Sequence, residues 1–128
     1  MQEAKPPDAV GWVTSVTIDC RDPEALAGFW GRLLGLEVCP RHGPYVALRR
    51  PPLGAPELVF QPVPEAKRGK VRLHLDVGVT DLRAATGRAV ALGASVAGDI
   101  DAGDDTLRVL RDPEGNEFCL VLRATGEL

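Results

Sequence analysis

Cysteine is scarce in this sequence, and its three copies stand far apart, at Cys20, Cys39 and Cys119. An odd number at wide spacing is not the pattern of a disulfide framework, and no CxxC pair indicates a structural zinc site. We therefore expect reduced thiols in a cytoplasmic protein, packed as small apolar groups.

Long apolar runs and an excess of one charge are also missing. No run approaches the roughly 20 apolar residues of a membrane helix, and residues 1–10 lack the features of a signal peptide, so they are interpreted as a flexible leader. The net charge of −3 gives no electrostatic reason to bind nucleic acid or an anionic membrane. The length of 128 residues suits one domain, placed at residues 11–128.

Alternating strands and capped helices follow one another in the same order in both halves. In the first half, a strand at 13–20 precedes a helix that Asp22 caps and Gly35 ends, and strands follow at 36–38, 45–50 and 57–63. In the second half, a strand at 70–79 precedes a helix with Thr80 or Asp81 as its cap and Gly93 as its end. Strands follow at 94–98, 106–112 and 117–123, with Gly115 in the turn "DPEGN".

The two halves match at a nearly constant offset. Ser15 matches His74, Asp22 matches Asp81, and "ELVFQ" matches "EFCLV", all within 58 to 60 residues. A period this long, seen twice, indicates a duplicated βαβββ module rather than a solenoid. The sequence therefore predicts an α+β fold of two tandem modules, at about residues 11–62 and 70–124, with a linker at 63–69.

The first strand of the second module carries an unusual set of polar residues. With period two, Arg72, His74 and Asp76 point to one side, and Leu73 points to the other with Leu75 and Val77. The leucine side is predicted to pack under the helix, together with Phe118, Leu120 and Leu122 of the last strand. No second set of helices covers the polar side, so it either faces water or lines a cavity.

Three stretches resemble the vicinal oxygen chelate superfamily, and within it glyoxalase-like domains: "VTIDCRDPEALAGFWGRLLGLEV", "RLHLDVGVTDLRAATGRAVALGA" and "RDPEGNEFCLV". The resemblance implies paired βαβββ modules that form a curled mixed sheet around a cleft, with the helices outside. The superfamily includes glyoxalase I, extradiol dioxygenases, fosfomycin-inactivating transferases and metal-free bleomycin-resistance proteins. Many of its members are homodimers, and we expect a homodimer here.

In the metal-dependent members, each module contributes one ligand from its first strand and one from its last. Carried over, these positions fall on Ser15, Val59, His74 and Cys119. Only His74 keeps a typical ligand, because valine has no donor atom and serine and cysteine depart from the pattern. The resemblance thus implies a degenerate metal site and no cofactor. A divalent ion at His74 and Cys119, completed by Glu57 or Glu117, is the alternative; Glu117 itself is expected to be exposed.

His74 has three interpretations, as a polar residue of the cleft wall, as a substrate contact or general base, or as a metal ligand. We predict His74 and Asp76 as the catalytic pair if the protein is an enzyme. On the strand, Asp76 lies about 7 Å from His74, which is long for a direct hydrogen bond unless side-chain rotamers or a water close the gap. Cys119 is expected to be an apolar filler, with a nucleophile activated by His74 as the alternative. The predicted ligand contacts are Ser15, Asp19, Val59, Gln61, Arg72, His74 and Cys119.

The sequence therefore favours a glyoxalase-like protein that binds a small organic molecule by shape and a few polar contacts. A superfamily enzyme of the lyase, isomerase or dioxygenase type, with His74 as base or metal ligand, is the first alternative. A ligand-free dimeric interaction module is the second.

Overall fold

The computed structural model describes residues 13–40, 43–49, 55–71, 73–97 and 106–123. The chain divides into two units, Met1–Ala66 and Lys67–Leu128, and the division lies within the segment predicted as a linker. Among the described residues, no helix is long and apolar enough to cross a membrane. Arg72 and the predicted leader at 1–10 lie outside these residues.

The first unit is one helix on a three-stranded mixed sheet. Its elements are β1 (Ser15–Cys20), α1 (Pro23–Leu34), β2 (Val46–Ala47) and β3 (Glu57–Pro62). The sheet order is β1–β3–β2, with β1 parallel and β2 antiparallel to β3. Because α1 packs on β2 and β3, its apolar stripe closes a core with the sheet. The core includes Leu26, Phe29, Trp30, Leu58 and Phe60.

The second unit repeats this architecture with one more strand. Its elements are β4 (Asp76–Val79), α2 (Leu82–Leu92), β5 (Ser95–Val96), β6 (Leu107–Arg111) and β7 (Glu117–Leu122). The sheet order is β4–β7–β6–β5, and only the β4–β7 pair is parallel. Helix α2 packs on β5, β6 and β7 over a core that includes Ala89, Leu110, Phe118 and Leu120.

The helix boundaries follow the capping signals of the sequence. The Asp22 carboxylate accepts a hydrogen bond from the N–H of Ala25 at 3.1 Å, and Gly35 ends α1 with a φ of 72°. Asp81, rather than Thr80, caps α2, since its carboxylate accepts from the N–H of Ala84 at 3.0 Å. These short-range predictions are confirmed.

The duplication is visible in the strand register. Thr17 pairs with Val59 across β1 and β3, and Asp76 pairs with Cys119 across β4 and β7. The two pairs are therefore related by offsets of 59 and 60 residues, and in both units the first strand runs parallel to the last. The predicted α+β class, with one helix and one mixed sheet in each half, is confirmed.

The strand predicted at 36–38 is reduced to a single bridge between Val38 and Leu48. The N–H of Leu36 is used to end α1, because it donates to the carbonyl of Gly31 at 2.8 Å. Pro40 has no N–H to continue the ladder. Only the short stretch between them can pair with the neighbouring strand.

The start of β4 is a second correction. The strand predicted from residue 70 begins at Asp76, and Leu73, expected in the core, is 69% exposed. Leu75 and Val77 are half-buried, and Leu122, at the end of β7, is 37% exposed. Apolar alternation continues beyond the point at which the main-chain ladder stops, so it overestimates the buried strand.

Candidate functional site

The polar face of the second sheet carries side chains that can bind a polar ligand, a metal ion or a proton. Asp76 of β4 and Cys119 of β7 are direct neighbours across a parallel pair, so their side chains point to the same side. His74 lies two residues before Asp76, just outside the strand. We call His74, Asp76 and Cys119 the His74 cluster.

The three side chains of the His74 cluster meet. His74 Nε2 lies 3.3 Å from Asp76 Oδ1, and the two side chains are 50% and 61% exposed. One donor atom from each of the three residues lies within 4.8 Å of the others. Of the two ways in which the gap between His74 and Asp76 can be closed, side-chain rotamers or a water, the structure shows the first, because the imidazole and carboxylate together reach across the residue spacing.

Cys119 is the least exposed member of the cluster. Burial raises the pKa of its thiol, and the charge of Asp76 and a hydrogen bond to the Asp76 carboxylate raise the pKa further. The thiol thus stays protonated at neutral pH and donates to Asp76. A cysteine held in this state is a poor nucleophile, since the thiolate is the reactive form.

Glu117 lies two residues before Cys119 on the same face, and the expectation that it is exposed is wrong. Its side chain is 17% exposed, and its Oε1 accepts the N–H of Val71 at 3.2 Å and lies 3.4 Å from Lys67 Nζ. Its Oε2 lies 3.8 Å from Arg111 Nε. Although burial alone raises the pKa of Glu117, the N–H of Val71, its own N–H and Lys67 together hold that pKa below its ordinary value.

These contacts change two sequence-based assignments. Glu117 is paired with cations and an amide rather than with His74, and Asp76 is the carboxylate that joins His74 and Cys119. The sequence placed Glu117 and Cys119 on one face, but nothing in it indicated that the Glu117 carboxylate binds the chain leading into β4.

The turn between β6 and β7 immediately precedes the strand that carries Cys119. Asp112 is buried, and its Oδ1 accepts from the N–H groups of Glu114 and Asn116 at 2.9 and 3.0 Å. Gly115 adopts a φ of 85°, in the left-handed region. This turn fixes the register of β7, and with it the position of Cys119.

The predicted contacts of the first unit lie on β1 and β3. Asp19, exposed, pairs with Gln61, which is half-buried. Ser15 pairs with Glu57, and Val59 pairs with Thr17. Both Ser15 and Val59 are half-buried, and Val59 has no donor atom with which to hold a ligand. Of the predicted contacts in the second unit, His74 and Cys119 are brought together, and Arg72 is outside the described residues.

A model of the family described as "Glyoxalase-like domain" matches residues 15–121. No curated protein matches the chain.

Solved structures share the fold. A glyoxalase/bleomycin resistance protein/dioxygenase family enzyme from Burkholderia phytofirmans PsJN is 20% identical, with a TM-score of 0.69 over 86% of this chain and 97% of that one. A mutant of the fosfomycin resistance protein FosX from Listeria monocytogenes, complexed with Mn(II) and 1S,2S-dihydroxypropylphosphonic acid, is 14% identical, with a TM-score of 0.69 over 94% of each chain. At these identities the likeness shows the fold alone.

Proposed function

Since the chain belongs to the glyoxalase-like domain family, we propose that it binds a small organic molecule, and that the His74 cluster supplies polar contacts to it. The observation that carries this proposal is the exposed His74–Asp76 pair at 3.3 Å, on a sheet face that also presents the Cys119 thiol. An imidazole and a carboxylate that remain open to solvent can donate to and accept from a polar ligand. The predicted contacts of the first unit, Ser15, Asp19, Val59 and Gln61, remain a prediction from the sequence.

A hard divalent ion of the kind bound in the FosX complex, Mn(II), is a poor match to the donors of this chain. Mn²⁺ prefers carboxylate, carbonyl and water oxygens, whereas thiolates suit softer ions. Of the four positions that correspond to ligands in metal-dependent relatives, Val59 offers no donor, Ser15 a neutral hydroxyl and Cys119 a sulfur whose pKa is raised. We therefore propose that ligand binding does not depend on such an ion.

A thermal-shift screen tests the proposal. The panel is fosfomycin, bleomycin and 1S,2S-dihydroxypropylphosphonic acid, each with and without a chelator. A ligand at 100 times its Kd stabilises a protein by about 2.7 kcal/mol, so at least one compound should raise the unfolding midpoint by several degrees, with or without the chelator. His74→Ala should weaken that binding, whereas Glu37→Gln, at an exposed ion pair with Arg49, should leave it unchanged. The proposal fails if no compound raises the midpoint or if His74→Ala binds as the wild type does.

An enzyme is the second candidate, and it is favoured by the same pair of side chains. A carboxylate 3.3 Å from the imidazole can orient His74 to accept a proton from a bound substrate, which is the arrangement of a general base. In this case His74→Ala should abolish turnover rather than weaken binding. Elemental analysis of protein purified without added metal tests whether such an enzyme uses a metal ion, because the nitrogen, oxygen and sulfur donors of the cluster suit Zn²⁺.

A further inference from the structure

The ladder between the first and last strands begins at different positions in the two units. In the first unit, the parallel ladder reaches Ser15, which pairs with Glu57, and the N–H of Glu57 donates to the carbonyl of Thr14 at 3.1 Å. In the second unit, the ladder begins at Asp76, and the N–H of Cys119 donates to the carbonyl of Leu75 at 2.9 Å. His74, the counterpart of Ser15, therefore lies one residue outside the last main-chain contact of the ladder.

The Glu117 side chain contacts the chain upstream of β4. Its Oε1 accepts the N–H of Val71 at 3.2 Å, across 46 residues of sequence. Lys67 Nζ, 3.4 Å from the same oxygen and 19% exposed, also donates to the carbonyl of Gly69. A hydrogen bond to a half-buried charged acceptor contributes more than one between neutral groups. Val71 is thus tied to β7 by the side chain of Glu117, whereas Leu75 is tied to β7 through its own carbonyl.

His74 lies between two residues that are held by β7. Val71 is held by the side chain of Glu117, and Leu75 is held by the N–H of Cys119. The anchoring residues are two positions apart on β7 and face the same side as the His74 cluster. His74 therefore has one anchored residue directly after it, Leu75, and another three positions before it, Val71.

We propose that Glu117 is the positioning residue of the ligand site, holding His74 against Asp76 and Cys119 through the N–H of Val71. The statement that a ligand uses this arrangement rests on the proposed function. The tie itself does not, and it can be measured on the free protein.

Two substitutions of Glu117 separate its acceptor from its charge. Glu117→Ala removes both, whereas Glu117→Gln keeps an amide oxygen for the N–H of Val71. Glu57→Ala is the matched control, because Glu57 is the counterpart of Glu117 in the first unit. The measurements are NMR hydrogen exchange at Val71 and the nuclear Overhauser effect between the His74 ring and Cys119, in the full chain without ligand.

We expect Glu117→Ala to speed exchange at Val71 by about tenfold, the equivalent of one lost hydrogen bond, and to weaken the His74–Cys119 effect. Glu117→Gln should restore most of both, and Glu57→Ala should change neither. Unchanged values in Glu117→Ala would overturn the proposal, and so would a Glu117→Gln protein as perturbed as the alanine variant. If the alanine variant does not fold, Lys67→Met replaces it, with exchange at Val71 expected to rise.

Binding of the three compounds of the ligand panel is a separate test. If a compound binds the wild type, its affinity should fall in Glu117→Ala and return in Glu117→Gln. If no compound binds the wild type, the proposed function fails while the exchange results still decide the role of Glu117.

Discussion

Replacing Asp112 with alanine should destabilise the second unit through the turn between β6 and β7. The carboxylate is only 4% exposed, and it accepts from the N–H groups of Glu114 and Asn116 and from the Asn116 amide. Alanine cannot accept any of these bonds. The perturbation therefore leaves turn amides without their acceptor.

The size of the effect follows from the bonds lost. A hydrogen bond to a charged group contributes about 1.5–3 kcal/mol when buried. The two backbone donors of Asp112 are half-buried, so we take the lower end for each and expect a loss of about 3 kcal/mol in the free energy of unfolding. For a chain of this length, that corresponds to a fall of about 10 °C in Tm.

Urea unfolding followed by circular dichroism measures the loss. Asp112→Asn keeps one side-chain oxygen for the two backbone donors, so it should lose only about 1 kcal/mol. Asp19→Ala, at an exposed carboxylate, is the control and should stay within about 0.5 kcal/mol of the wild type. An Asp112→Ala protein as stable as that control would refute the assignment of the turn to this carboxylate.

Three further predictions concern titration and the backbone. Because the pKa of Cys119 is raised by burial and by Asp76, mass-mapped labelling of Cys119 should be slow at neutral pH and accelerate as the pH rises, and Asp76→Asn should move the acceleration to lower pH. Because the pKa of Glu117 is lowered in the folded protein, its ionised carboxylate stabilises the protein above the ordinary glutamate pKa, and this stability is lost as the pH falls through the folded pKa. Glu117→Gln should therefore make the urea midpoint depend less steeply on pH in the acid range. Gly35→Ala should lower the free energy of unfolding by about 1 kcal/mol, because Gly35 has a φ of 72°. Gly28→Ala, within α1 and with open space for an added Cβ, should raise it by about 0.5–1 kcal/mol, and urea unfolding measures both.

The features that the sequence predicted well are local ones. Asp22 and Asp81 act on amides three residues away, and Gly35 and Gly115 adopt left-handed conformations that other residues rarely take. Each of these signals is complete within about five residues, so no tertiary information is needed to interpret it. The duplication was predictable for a similar reason, because it depends only on spacing.

Contacts between distant segments were not predictable in this way. The alternation that placed Leu73 in the core gives no information about where the ladder to β7 stops, and Leu73 is 69% exposed. Glu117 was expected in water because it lies next to a turn, and its partners, Val71 and Lys67, are 46 and 50 residues away in the chain, beyond the reach of a local pattern. The contact between His74 and Asp76 depended on side-chain rotamers, which residue spacing along a strand does not determine.

In both units the first strand pairs with the last in the same way, although the side chains on the paired strands differ. The same ladder carries Thr17 beside Val59 in one unit and Asp76 beside Cys119 in the other. Main-chain hydrogen bonds place few demands on side chains beyond compatibility with a strand. Thr17→Asp with Val59→Cys would therefore place the same acid–thiol pair at the equivalent position of the first unit. A second copy of the pair can thus be introduced without changing the main-chain ladder that carries it.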